Sequence, residues 1–443
     1  MLINQKLINF KKKIQKKKAS ISVIGLGYVG LPLALSFAKN GFKVHGYDID
    51  KFKIKSIKSG KSYISSVSSG YLTKCKERFK SSSNIYDVEN SDIVIICVPT
   101  PINDKKLPIL SHVKDVMDKL STIKVKDKLI IFECTSYPGT TEEYFLPSIK
   151  KKALEIGKNI FLGYSPERED PGNRKFSLEK KNIPKIVSGY TTDCLSLTRL
   201  LYSKISDTIS VENIKTAEFT KLLENIYRTV NIGLINELKK VSDKMNINIF
   251  DAVNAAKTKP FGYQPFYPGP GVGGHCIPVD PFFLTWKAKK LGVETKFIKL
   301  AGQINDERPK TIVNKIKKYF NSEKKLKCLI IGIAYKKDCD DVRLSPAIKI
   351  IELLKKNLNI KINILDSVVS NKTKKNLKNY KFVEKNKINK DFLKTFDFSI
   401  IITDHNNIDY EKIRRNLNCT NRFSEAESAS QNLKEMNRED LRK

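Results

Sequence analysis

The span from Pro268 to Pro281, PGPGVGGHCIPVDP, sets His275, Cys276 and Asp280 close together among glycines and prolines that exclude a helix or a central strand. A shaped loop of this kind can present a thiolate. The alternative is a structural turn around a buried, inert cysteine. Upstream, Lys221 and Asn225 fall four residues apart in an apolar-periodic run and so share one helix face. A surface lysine is the plain alternative, with Glu224 as a competing partner. A third constellation is Gly25-Leu26-Gly27-Tyr28-Val29-Gly30, followed about twenty residues on by Asp48. There Gly25 permits a tight turn, Gly27 lets backbone approach a pyrophosphate, and Gly30 lets helix and strand pack closely. Asp48 can accept from ribose hydroxyls. An acid in that position favours NAD over NADP, because it repels a 2′-phosphate.

The elements that must carry these residues are legible around them. Residues Ala19–Ile24 read as a strand, LPLALSFAKNG as the helix after the glycine turn, and Phe42–Tyr47 as the next strand. Further strands at Asp92–Val98 and Leu129–Glu133 end in loops holding Thr100 and Thr135, at the sheet edge where ligands sit. Either threonine can instead be a helix cap. Cys97 is expected to pack in the sheet, while Cys134 borders the loop. The segment YSPEREDPGN, residues 164–173, is a charged, proline-bounded loop that includes Glu167. From Ile214 a long helix is expected, with Ala217, Leu222, Leu223, Ile226, Val230, Leu234, Leu238 and Val241 at helical spacing; such helices link domains or pair subunits. After the cysteine loop, Phe282–Leu291 reads as helix and holds the only tryptophan, Trp286.

A second α/β unit begins at Lys327, with a strand, the loop Tyr335–Leu344, the helix Ser345–Lys356 and strands at Lys361–Leu365 and Phe398–Thr403. A single Gly332 and no GxGxxG argue against a second dinucleotide. Lys336, Lys337 and Arg343 can clamp a phosphate, or pair with Asp338, Asp340 and Asp341. From Arg414 the chain turns polar and serine-rich, no strand is visible, and a peripheral tail is expected.

With 443 residues, 40% hydrophobic and 29% charged, the chain is long enough for two or three cored domains. No apolar run is long enough to span a membrane, and the basic N-terminus lacks an apolar signal core, so a cytoplasmic protein is expected. The 8 cysteines show no CxxC pairing and the 4 histidines are dispersed, which argues against disulfides and metal. The formal charge of +35 and the run Lys11–Lys18 invite a nucleic-acid reading. Lysines spread along the whole chain, without interleaved aromatics, fit a compositional bias better, so no specific nucleic-acid partner is expected.

Taken together, GLGYVGLPLA, PTP at residues 99–101, YSPEREDPGN, AEFTKLLENIYR, PGPGVGGHCIPVDP, GIAYKKDCDDVRLSP and the late TDH resemble the UDP-sugar 6-dehydrogenase family, most closely its UDP-N-acetylglucosamine branch. The resemblance covers about residues 20–412. It implies an α/β chain of two Rossmann-like doubly wound domains joined by a helical middle domain with a long central helix. The NAD-binding domain would span residues 1–210, with 1–18 a basic extension. A dimerising middle domain with the cysteine loop would take 211–305, a UDP-binding domain 306–413, and an atypical tail 414–443.

The same resemblance implies a four-electron oxidation of a sugar C6 alcohol to a carboxylate by two NAD⁺, for surface polysaccharide synthesis. UDP-N-acetylglucosamine is the expected sugar, with UDP-glucose or UDP-N-acetylmannosamine as alternatives, and a non-catalytic nucleotide-sugar-binding protein as the reading from another class. Carried over by position, Cys276 forms a thiohemiacetal and then a thioester, Asp280 handles protons or positions water, and Lys221 and Asn225 stabilise the oxyanion. Glu167 acts in the hydrolytic step and Thr135 holds a water. Gly25, Gly27, Tyr28, Val29, Gly30, Asp48, Thr100 and Thr135 would meet the cofactor. Lys221, Gly273, Lys336 and Arg343 would meet the substrate. Three features depart from the family: Pro171 where UDP-glucose enzymes have a second glutamate, His275 before the cysteine, and the missing last strand with its Asp-Thr-Arg.

Overall fold

The computed structural model describes residues 5–64, 67–150, 152–169, 183–320, 325–416 and 422–424. The chain divides into two compact units, residues 1–224 with 282–293, and residues 225–281 with 294–443.

In the first unit the strands are β1 (Ser20–Ile24), β2 (Lys43–Tyr47), β3 (Phe79–Ser82), β4 (Ile93–Ile96), β5 (Leu129–Phe132), β6 (Phe161–Tyr164), β7 (Lys185–Gly189) and β8 (Thr208–Ser210). They form one sheet in the order β3-β2-β1-β4-β5-β6-β7-β8. Continuous apolar runs such as IVII in β4 and LIIF in β5 are buried on both faces, which is what a parallel sheet covered by helices requires. Among these strands β6 and β7 pair antiparallel, which brings the start of β7 toward the edge where β5 and β6 end. The basic extension proves to be an amphipathic helix, Gln5–Gln15, whose Leu7, Phe10 and Ile14 join the core while its lysines face out. Phe10 meets Phe161 edge-on at 6.0 Å, and Lys13 pairs with Asp92 at 2.7 Å.

The second unit holds the strands β9 (Leu326–Ile331), β10 (Ile360–Leu365), β11 (Phe382–Val383), β12 (Phe398–Ile401) and β13 (Arg422–Ser424), in the order β11-β10-β9-β12-β13 and all parallel. Alternation along β9 serves both layers. Cys328 and Ile330 pack with Ile350, Ile351 and Leu354, while Leu329 and Ile331 pack with Leu393 and Phe396. β13 corrects the expectation of a strandless tail. Arg422–Ser424 pairs in register with Ser399–Ile401 and covers the edge of β12, a pairing too short to leave an alternating signature in the sequence.

The long helix runs from Ile214 to Lys244. Its apolar periodicity is real, but much of that stripe is not core in this chain: Leu234, Leu238 and Val241 are 52%, 42% and 49% exposed. The buried face carries Lys221, Asn225, Thr229 and Asn236 instead. Close packing in the second unit is seen at Gly233, where a Cβ would lie 3.1 Å from Ala301 Cα on the helix Lys296–Tyr319.

Candidate functional site

In the first unit the glycine turn is built as a cradle. Gly25 adopts φ +91°, donates to Tyr47 O at 2.8 Å, and a Cβ there would meet Cys97 O at 2.7 Å. A Cβ on Gly30 would lie 1.8 Å from Gly25 O, so helix and turn touch backbone to backbone. Before Gly27 there is open space, with no atom within 4 Å of a Cβ position. Val29 stands at the N-cap position of the helix Gly30–Lys39 without a side-chain capping bond, and Tyr28 packs against the core beside it.

Buried Asp48 accepts from Leu26 N and Lys53 Nζ at 2.8 Å each and from Asp50 N at 2.9 Å. Lys53 was not legible as a site residue, because only the turn after β2 brings it back to the acid. Open room beside Gly27 and a buried, oriented carboxylate suit the pyrophosphate and ribose of NAD.

At the neighbouring strand ends, Thr100 Oγ1 donates to Thr135 O at 2.5 Å. The cysteines beside them are not candidates for chemistry. Burial pushes Cys97 far up and Cys134 to about 12, and Cys134 Sγ donates to Ile96 O at 3.3 Å.

Glu167 is held on both oxygens. Oε1 accepts from Arg168 N at 2.6 Å and Glu169 N at 2.7 Å, and Oε2 lies 3.3 Å from Lys185 Nζ. Burial works to raise its pKa, but Lys185, the two amides and Lys221 outweigh that and hold it below the usual carboxylate range. Arg168 binds Glu224 through Nε at 2.8 Å, so the acid beside Lys221 already has a guanidinium partner. Glu218, also on the long helix, accepts from Gly139 N at 2.5 Å and Thr141 N at 2.9 Å at the start of the helix Thr140–Lys150. Pro171 lies outside the described residues.

In the second unit, the cysteine loop is fastened by the polar face of the long helix. Asn225 Nδ2 donates to Asp280 Oδ2 at 2.5 Å, Thr229 Oγ1 to Ile277 O at 3.2 Å, and Asn236 Oδ1 accepts from Gly269 N at 3.0 Å. Arg308 Nε donates to Gly269 O at 2.9 Å, and Asn305 bridges Thr229 O and Asn236. Cys276 is half-buried, and its carbonyl accepts from Val279 N and Asp280 N at 3.0 and 2.8 Å where the helix Asp280–Lys290 begins. Gly271 and Gly274 have φ of +123° and +82°, and a Cβ on Gly273 would strike Tyr335 Cβ at 2.7 Å. Asn225, Thr229, Asn236, Asn305 and Arg308 are brought to the loop by the fold. Of these, only Asn225 was picked out by sequence.

The phosphate-type loop lies on the other side of His275. Arg343 forks onto Asp341, with Nε at 3.0 and 2.9 Å from the two carboxylate oxygens, and its Nη2 lies 3.2 Å from His275 Nδ1. Arg343 thus makes the pairing with Asp341 while its Nη2 also reaches the histidine of the cysteine loop. Lys337 pairs with Asp404 at 3.4 Å, whereas Lys336 is half-buried in the loop itself. The TDH segment closes the turn after β9. Thr403 Oγ1 donates to Ala334 O at 2.6 Å, and His405 contacts Asp366 Oδ2 through Nε2 at 3.2 Å and accepts from Asp338 N at 3.0 Å.

Comparison with known proteins finds similarity along most of the chain. Residues 19–206, 215–307 and 329–423 match the NAD binding, central and UDP binding domains of the UDP-glucose/GDP-mannose dehydrogenase family. A UDP-N-acetyl-D-glucosamine 6-dehydrogenase from Pseudomonas aeruginosa is 34% identical over 361 residues, 80% of this chain and 84% of that one. A UDP-N-acetyl-D-mannosamine dehydrogenase from Methanococcus aeolicus is 37% identical over 364 residues, 80% of each chain. The solved UDP-D-ManNAc dehydrogenase of Pyrococcus horikoshii superposes with a TM-score of 0.81 at 29% identity, covering 92% of this chain and 95% of that one. No helix of the described residues is long and apolar enough to cross a membrane.

Proposed function

The chain belongs to the UDP-glucose/GDP-mannose dehydrogenase family and is an NAD-dependent UDP-sugar dehydrogenase, and from that premise we propose that it oxidises the C6 alcohol of a UDP-N-acetylhexosamine to the uronic acid through Cys276. The observation that carries the reading is the half-buried Cys276 at the head of a helix, in a loop tied down by Asn225, Thr229, Asn236 and Arg308. A thiol so placed does not swing away between two successive oxidations.

Bound NAD⁺ supplies the hydride acceptor, one molecule for each oxidation. The chain's own residues do the rest. Cys276 adds to the C6 aldehyde as thiolate and keeps it from leaving. Lys221 and Asn225 offer an ammonium and an amide N–H to the oxygen that gains charge, each such donor being worth about 3 kcal/mol of barrier. Asp280 holds Asn225 in place and is the near acid for the protons of C6. Glu167, ionised and fixed by two amides, is the base toward the water that cleaves the thioester, with Thr135 as a further water ligand. Thr100 and Thr135 also line the cofactor edge, and Lys336, Gly273 and Arg343 the nucleotide-sugar side.

UDP-N-acetylglucosamine is our first choice of sugar and UDP-N-acetylmannosamine the second, since relatives bearing both names match at similar identity. A role in surface polysaccharide synthesis, a cytoplasmic place of action and a homodimer belong to the same reading. The exposed stripe Leu234, Leu238 and Val241 is the surface a second copy would cover. Incubation with NAD⁺ and a panel of UDP-sugars tests the activity. Two NADH per sugar consumed, fastest with an N-acetylhexosamine, is expected, and a clear preference for UDP-glucose would refute the assignment.

A further inference from the structure

Glu133, Lys185 and Glu167 form a charged cluster with the Tyr202 hydroxyl, buried at Glu133, Lys185 and Tyr202 and reaching solvent at Glu167. Lys185 Nζ stands 3.1 Å from Glu133 Oε2 and 3.3 Å from Glu167 Oε2, and the three side chains are 2%, 0% and 12% exposed in the order Lys185, Glu133, Glu167. The Tyr202 hydroxyl donates to the other oxygen of Glu133, and Lys185 also lies 5.3 Å over the Tyr202 ring. Arg168 Nη1 donates to Pro184 O at 2.9 Å, tying the residue before Lys185 to the segment that holds Glu167.

The cluster comes from topology. Glu133 follows β5, Glu167 follows β6, and the antiparallel β7 starts with Lys185 at that same edge. One ammonium is shared by a buried carboxylate, Glu133, and a partly exposed one, Glu167. Such a buried group is costly unless each member has its partner, so a purely structural role is poorly served by a second acid.

We propose that Lys185 is a positioning residue for thioester hydrolysis, holding Glu167 ionised and aimed, and that Glu133 is the counter-carboxylate whose proton occupancy decides how much of the lysine Glu167 receives. The inference rests on the reading of Glu167 as the hydrolytic base. In that step the water oxygen bonds to the acyl carbon, the C–S bond breaks, sulfur leaves as thiolate, and one water proton passes to Glu167 while the other stays on the new acid.

Burial, partly offset by Lys185 and Tyr202, brings Glu133 to about 7. The groups that face it are Lys185, Glu167 and Tyr202, with the thiols of Cys97 and Cys134 beside it. Below that pH Glu133 is protonated, Lys185 belongs to Glu167 alone, and Glu167 is a weaker base. Above it the lysine is divided and Glu167 is a stronger one. Hydrolysis should therefore quicken as pH rises through about 7.

The test uses the full chain with NAD⁺ and the UDP-sugar it turns over fastest, with acid quench and intact mass to detect acyl adduct. Glu167→Gln is the control for the underlying reading and should accumulate adduct; if it traps none, that reading falls and this inference with it. Lys185→Met should slow turnover roughly a hundredfold and accumulate the same adduct, with NAD⁺ binding kept and Lys185→Arg restoring most of the rate. Glu133→Gln should turn over without the pH inflection. Adduct in Glu167→Gln together with wild-type hydrolysis in a folded Lys185→Met overturns the inference. So does an unchanged inflection in Glu133→Gln, which decides the matter if Lys185→Met does not fold.

Discussion

Asn225 donates from Nδ2 to Asp280 Oδ2 at 2.5 Å, and both side chains are buried. The bond joins the polar face of the long helix to the first residue of the helix that follows the cysteine loop. A buried amide satisfied by a carboxylate is worth more than a neutral pair, and either partner left alone is a desolvated orphan. Asn225→Ala should lower stability by about 1–3 kcal/mol in denaturant titration. It should also cut kcat well beyond any change in the KM for NAD⁺. Unchanged stability and kcat would show the bond to be incidental.

Cys276→Ser should stop formation of the uronic acid while leaving NAD⁺ affinity within about twofold, read by calorimetry and product chromatography. The hydroxyl is a far poorer nucleophile at neutral pH than a thiol. Acid output near that of the parent would remove the nucleophile assignment.

Two glycines of the cradle should respond in opposite ways. Gly27→Ala places its methyl in open space, so melting temperature should hold while NAD⁺ binding weakens. Gly30→Ala drives a Cβ to 1.8 Å from Gly25 O, so the fold itself should lose stability or fail. Thermal melts of both, with and without NAD⁺, distinguish a cofactor contact from a packing contact.

The exposed stripe on the long helix predicts its own test. Leu234→Arg with Leu238→Arg should leave the circular dichroism of the chain unchanged and convert a dimer to monomer in sedimentation, because both side chains stand clear of this chain's core. A monomeric parent, or a dimer that survives the pair of arginines, would exclude this face as the interface.

Asp366 gives the second unit an acid-sensitive joint. Burial works against its charge, but His405 and the amides of Val369 and Ile333 outweigh it and hold the carboxyl at about 2. A folded value below the unfolded one means stability that is fully present above about pH 4 and lost as pH falls toward 2, about 2 kcal/mol in all. Asp366→Asn should flatten the loss of stability between pH 5 and pH 2 (roughly, from the same linkage), measured by urea midpoints. A slope identical to the parent's would assign the acid sensitivity to other groups.

Local chemistry made several features legible without a structure. Gly25, Gly27 and Gly30 followed by Asp48 announce a dinucleotide turn because each residue's task is set by neighbours in the chain. The loop around Cys276 was legible for the same reason: glycines and prolines exclude regular structure and leave a shaped backbone. Partners far apart in the chain were decided only by tertiary structure. Lys185 lies 52 residues from Glu133, and no pattern in either segment joins them until an antiparallel β7 does.

The long helix shows the same division. Its periodicity predicted a helix, but periodicity identifies two faces and not which one is covered. The fold buries the face with Lys221, Asn225, Thr229 and Asn236, where the two asparagines and the threonine find hydrogen-bond partners and Lys221 faces the charge of Glu167, and leaves Leu234 and Leu238 outside. β13 was invisible for a related reason, since three residues paired to an edge strand take their shape from that partner. What the sequence determined by itself was the identity of the reactive groups. The tertiary structure decided which of them are held, by which distant side chains, and in what state of charge, because burial and non-local hydrogen bonds come into being only when the chain is folded.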